Sequence, residues 1–134
     1  MRLLVVGDQW FPDFAGGSAR VTAETAVRLA RRGHELDVVV PRAADSGLVP
    51  RAEPLPGLRL HRAIGRGRLP RTIGDAIEAC SAIRSLHGRW DLVLAHQSTT
   101  AAGAAAALPG VPLALVFHAS ARRELAFARE RLPH

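Results

Sequence analysis

Residues 2–40 already settle the class of fold open to this chain. An apolar run over 2–7 (RLLVVG) leads into a Trp/Phe/Pro-bearing loop ending in Gly16-Gly17. A helical stretch from about 18 to 32 follows and stops at Gly33, and a second apolar run covers 35–40 (ELDVVV). Short apolar runs bounded by turn residues read as buried strands. Strand, helix and strand in succession make a βαβ unit, because parallel neighbours need a long crossover. The two glycines fall where the loop becomes the helix. Backbone N–H groups there lack intrahelical partners and the helix dipole is positive, so the corner suits an anion. Adjacent glycines let a phosphate or sugar approach the backbone with no Cβ in the way, and the plain alternative is a tight loop that holds nothing.

The same alternation runs through the rest of the chain. A Pro/Gly/Ala-rich loop spans 42–57, and strands are predicted over 58–64 (LRLHRAI, period two and more exposed), 91–95 (DLVLA) and 112–117 (PLALVF). Helices are predicted over 70–87, from about 98 to 108, and over 120–132. The first of these places Ile73, Ile77, Cys80 and Ile83 on one apolar side, with Cys80 read as a buried thiol. The second is Ala-rich, with Ser98, Thr99 and Thr100 as N-cap candidates. This pattern predicts an α/β fold, a Rossmann-like parallel sheet with helices on both faces. Right-handed crossovers give the strand order 3-2-1-4-5, with strands one and four adjacent at the topological switch point where ligands bind. The loop over 8–17, Pro41, His96 after strand four and His118 after strand five all crowd that edge.

Composition narrows the class further. The 134 residues suit one domain, and 48% hydrophobic content with a mean hydropathy of +0.07 excludes a disordered chain. No apolar run reaches the ~18 residues of a membrane span. The first strand starts at once, with no signal-peptide region before it, and the single Cys80 fits a reducing compartment; both point to the cytoplasm. The net charge is +6 and every basic residue is arginine, but 4% aromatic content without tyrosine argues against nucleic acid as a partner.

Several candidate residues have a chemical and a plain reading. The Gly16-Gly17 turn lacks the G-x-G-x-x-G dinucleotide pattern, and a chain without lysine has no P-loop. His118 ends an apolar strand, where an imidazole can bond sugar hydroxyls or phosphate oxygens or simply cap nearby backbone; His96 has the same placement. His34 reads as a surface turn, and the histidine spacings do not suit a metal. Arg59, Arg62, Arg66, Arg68 and Arg71 cluster around Gly65 and Gly67, as a solvated loop or as a dock for anionic lipid or a phosphorylated acceptor. Trp10, Phe11 and Phe14 in the first loop suggest a hydrophobic lip over a pocket or a platform for an acceptor.

The segments VVGDQWFPDFAGGSARV, LARRGHELDVV, DLVLAH and GVPLALVFHAS together resemble the N-terminal, acceptor-side domain of retaining GT-B glycosyltransferases of family 4 (group 1), over nearly the whole chain. That resemblance implies a two-domain enzyme moving a sugar from a nucleotide-sugar donor to an acceptor in the cleft between Rossmann-like halves, with no metal or other cofactor. It implies that the Gly16 and Gly17 amides face the donor phosphate or sugar and that His118 is the catalytic-site residue beside the reacting carbon. Asp8 and Arg20 match acceptor- or phosphate-side positions, and His96, from its place after strand four, joins them as an acceptor-side residue or as one that supports those in contact with the ligand. The partner domain would hold most of the donor and a Glu-x7-Glu motif. The chain stops at His134, before any such segment. It is therefore expected to be a truncated half, completed by the missing domain or by a partner chain and inactive alone. Peripheral contact with the inner face of a membrane is a further expectation. The alternative is a non-catalytic α/β module binding a nucleotide or phosphorylated ligand; a nicotinamide oxidoreductase is disfavoured by the missing fingerprint.

Overall fold

A computed structural model of the chain describes residues 1–42, 55–64 and 70–118. Within them the elements are β1 (Arg2–Val6), α1 (Gly17–Arg31), β2 (Glu35–Pro41), β3 (Leu58–Ile64), α2 (Arg71–Ser85), β4 (Leu92–Ala95), α3 (Ser98–Ala107) and β5 (Leu113–Leu115). Every strand pairing is parallel, and the order is β3-β2-β1-β4-β5, the order expected from the sequence. The chain leaves β1 toward β2 on one side and returns to β4 on the other, so the carboxyl ends of β1 and β4 flank the switch point. The predicted helix over 120–132, most of the loop over 42–57, Gly65, Gly67, Arg66 and Arg68 lie outside the described residues. Among the described residues no helix is long and apolar enough to cross a membrane.

Strand residues alternate between two cores, which is why β1 and β2 read as continuous apolar runs. On one face Leu3, Val5, Leu36, Val38 and Val40 pack with Ala23, Ala26 and Ala30 of α1. On the other, Leu4, Val6, Val39 and Ile64 pack with Ala79, Ala82 and Ile83 of α2, Ala104 of α3 and Trp90. The alanines bring both helix layers close to the sheet. Gly33, with φ +87°, ends α1 in the left-handed region that favours glycine.

Three local expectations change. Ile83 is buried, but Ile73 and Ile77 are 56% and 51% exposed, and the covered side of α2 is built from Gly74, Ala79 and Ala82 instead. Close helix packing selects the small residues, so the larger ones are displaced outward. Ile77 and Cys80 line an apolar groove of about 440 Å³ between α2 and α3, which makes Cys80 half-buried rather than a core thiol. The N-cap of α3 is Gln97, one residue earlier than predicted, and Thr100 Oγ1 donates back to the Gln97 carbonyl at 3.1 Å. β5 is shorter than expected and its side chains are exposed, because it is paired only to β4 within the described residues.

A polar cluster sits on the α2/α3 face of β2, toward the amino ends of the strands. Asp37 is 4% exposed and accepts from Arg59 Nε (2.8 Å) and Nη2 (3.2 Å), Trp90 Nε1 (3.0 Å) and Arg2 Nη2 (3.4 Å), with His61 Nε2 at 3.0 Å. Burial raises its pKa, but the hydrogen bonds from Arg59, His61 and Trp90 outweigh this and hold the carboxyl well below the usual carboxylate range. The cluster ties β1, β2, β3 and the segment before β4 together at the end of the sheet opposite the switch point.

A glycine-lined helix start and a histidine pair on one sheet edge

The carboxyl end of β1 leads into the loop that carries most of the predicted site. Trp10 is 5% exposed and enters the α1-side core, so the aromatic lip loses its largest member to structural packing. Phe11 stays exposed, with the Arg20 guanidinium 4.9 Å from its ring centroid. The Asp13 side chain is fully buried and receives two bonds from Arg62 of β3, at 2.7 and 3.0 Å. That fork fixes the loop to the sheet across 49 positions of sequence. Arg59 and Arg62 thus each bond an internal carboxylate, Asp37 and Asp13.

The loop delivers the chain to Gly16, the N-cap of α1, at φ −148° and ψ 158°. Among the described residues no side chain caps this helix, and its first turn contains no acidic residue. The first-turn amides therefore remain as donors, backed by the positive end of the dipole. Neither glycine has a conformational reason to be glycine: Gly16 is extended, Gly17 is helical, and positive φ among glycines is confined to Gly33, Gly57 and Gly110 within the described residues. A Cβ on Gly17 would meet nothing within 4 Å, and one on Gly16 would touch only Gln9 Oε1, at 3.1 Å. Gly16, Gly17, Ala15, Phe11 and Arg20 line a depression of about 380 Å³. The absent side chains leave open space over bare amides.

The ends of β4 and β5 supply the second group. His96 follows β4 directly; its amide donates to the Val6 carbonyl at 2.9 Å and its side chain is 1% exposed. Val116 N–H donates to the Ala95 carbonyl at 2.8 Å, which carries the chain alongside β4 to His118. His96 Nδ1 then lies 3.0 Å from His118 Nε2, with ring centroids 5.3 Å apart and planes at 22°. Burial, with the neighbouring His118 as a smaller contribution, pushes the His96 pKa down to about 4. Sequence placed both histidines on this edge; their contact is a finding of the tertiary structure. Asp8, half-buried, follows β1 on the same edge. Among the described residues no group of three or more His, Cys, Asp or Glu is arranged to hold a metal.

His96 also makes stability pH-dependent. A histidine held neutral in the fold, with a pKa near 4 against an ordinary 6.5, contributes stability that is complete above pH 6.5. As pH falls toward 4 the unfolded chain binds the extra proton, and about 1.4 kcal/mol per pH unit is lost, ~3 kcal/mol in all. Urea unfolding between pH 7 and 4 should show this slope in the wild type and lose most of it in His96→Asn. Equal slopes in the two proteins would remove His96 as the cause.

A family model described as Glycosyltransferase Family 4 matches residues 15–133. The chain belongs to glycosyltransferase family 4. No curated protein matches it. The match starts on the glycine turn and runs past His118, so both groups lie within the family 4 domain. Asp37 and Asp13, which organise the sheet and the first loop, escaped the sequence reading. Asp37 was legible only as a charge inside an otherwise apolar buried strand (ELDVVV), a position that demands partners.

Proposed function

We propose that this family 4 domain is one wall of a sugar-transfer cleft, binding a nucleotide-sugar donor through the start of α1 and through His118. The observation that carries this reading is the glycine pair: two residues with ordinary backbone angles whose missing side chains leave an uncapped helix start open. The Gly17 and neighbouring first-turn amides bond the donor diphosphate, and the dipole offsets the charge that grows on it as the sugar departs. Arg20 adds a cation at the rim of the same depression. His118 donates to a sugar hydroxyl near the reacting carbon, and Asp8 lies on the acceptor side. A second domain or partner chain closes the cleft and supplies most of the donor site.

Titration of the chain with a nucleoside diphosphate, followed by amide NMR, is the direct test. Shifts should concentrate on residues 16–19, with a second set at His118. Gly17→Val places a branched side chain in the open space and should weaken binding at least tenfold, the worth of about 1.4 kcal/mol or one charge-assisted hydrogen bond. Its unfolding free energy should stay within about 0.5 kcal/mol of wild type, since the new atoms meet solvent. Unchanged affinity in that variant would end the helix-start reading.

A further inference from the structure

The His96–His118 contact poses a proton-counting question. Two imidazole nitrogens 3.0 Å apart form a hydrogen bond only if one carries a proton and the other is bare. His96 is neutral near pH 7, because burial holds its pKa near 4, so it carries a single ring proton. In one arrangement His118 Nε2–H donates to a bare His96 Nδ1, and the His96 proton is then on Nε2. In the other His96 Nδ1–H donates to a bare His118 Nε2, and His96 Nε2 is bare.

The far side of the His96 ring decides between them. His96 Nε2 is fully buried and has no protein partner within hydrogen-bond reach among the described residues. The first arrangement would seal an unpaired N–H there; the second seals only a lone pair. Among buried backbone groups an orphaned N–H is rarer than an under-satisfied acceptor, and the same order is applied to the ring nitrogens. We infer that His96 donates its Nδ1–H to His118 Nε2 and so holds His118 as the Nδ1–H tautomer, leaving Nδ1–H as the donor that His118 offers to a ligand. His96 is thus a positioning residue, acting on the ligand only through His118. The stacked rings, 22° from parallel, add an orientational restraint to the same contact. A hydrogen bond on one ring nitrogen dictates what the other presents, as it does for histidines that bind metals. The value of that donor for sugar binding rests on the reading that His118 touches the donor; the tautomer itself does not.

The test is a long-range 1H–15N correlation of the imidazoles in the ¹⁵N-histidine-labelled 134-residue chain at pH 8. His118 should show a protonated Nδ1 and a bare Nε2, and His96 should show the same pattern. His96→Phe removes the donor, and His118 should revert to the mixture of a free imidazole, in which Nε2–H predominates. His96→Asn keeps an amide N–H near the lost Nδ1–H and should restore the Nδ1–H form, which a purely space-filling role would not. A wild-type His118 in the Nε2–H form overturns the inference whether or not either variant folds, and so does a folded His96→Phe protein with an unchanged His118. His118→Ala, titrated with nucleoside diphosphate and with the nucleotide sugar, separates the two levels. If the sugar adds no affinity that this variant loses, the donor-contact reading fails while the tautomer result stands.

Discussion

Replacing Asp37 with alanine is expected to lower the unfolding free energy by about 2–4 kcal/mol, a large share of the ~5–15 kcal/mol typical of a domain. Asp37 is the acceptor shared by Arg2, Arg59 and Trp90, with His61 in contact. Its loss strands the Trp90 N–H, which lies in the core on the α2 side. Arg59 and Arg2 keep 54% and 41% of their side-chain surface exposed and can turn toward water, so the loss should fall short of that for a fully buried ion pair. Asp37→Asn retains an acceptor for Trp90 and should cost roughly half as much. Urea midpoints at constant m read both values. A drop below 1 kcal/mol for the alanine variant would show that the cluster is not what fastens this end of the sheet.

The same group predicts the lower part of the acid-unfolding curve. Its folded pKa lies below the unfolded value, so its contribution is complete above about pH 4 and is lost as pH falls further. The His96 window lies above it, from 6.5 down to about 4. The wild type should therefore lose stability in two successive ranges. Asp37→Asn should flatten the lower one, and His96→Asn the upper.

Gly103→Ala should destabilise the protein although alanine is the better helix former. A Cβ at Gly103 would overlap the Ala76 carbonyl oxygen and lie 2.9 Å from Ala79 Cβ, so α3 would have to move away from α2. Both obstructions belong to a packed helix, and neither is the end of a flexible side chain. The overpacking cost, about 1–3 kcal/mol, exceeds the ~1 kcal/mol gained in helix propensity. Gly103→Val adds more volume and β-branching and should cost more, on the order of 3 kcal/mol. Thermal unfolding of both variants should rank them wild type, alanine, valine. An alanine variant as stable as wild type would show that the α2–α3 approach relaxes freely. Because α3 begins at Ser98, two residues after His96, a displaced helix should also disturb the His96–His118 contact.

Much of the fold was legible in one dimension because its determinants are local. Apolar runs of strand length, the glycine-terminated α1 and the regular alternation of elements specify a parallel sheet, and right-handed crossovers with helices on both faces narrow the strand order to a few, of which 3-2-1-4-5 is one. The positions of Gly16-Gly17, His96 and His118 at one edge follow from that order, since each comes directly after a strand or opens the helix that follows one. The errors share a different cause. Periodicity alone places Ile73 and Ile77 on the core side, but the covered face of α2 is chosen by how near α3 approaches, and Gly103 and Ala79 set that distance. The loop position of Trp10 suggests a lip, yet its side chain packs in the α1-side core.

By itself, then, the sequence determined the layer architecture, the strand order, the sheet edge that carries Gly16-Gly17, His96 and His118, and the family 4 pattern, all of which depend on spacing along the chain. Only the tertiary structure decided that Asp37 gathers partners from positions 2, 59, 61 and 90, that Arg62 clamps Asp13, and that His96 meets His118. These are contacts between side chains far apart in sequence. Their existence depends on register and burial, through which a buried charge or imidazole must find a partner, and neither quantity is written in local periodicity.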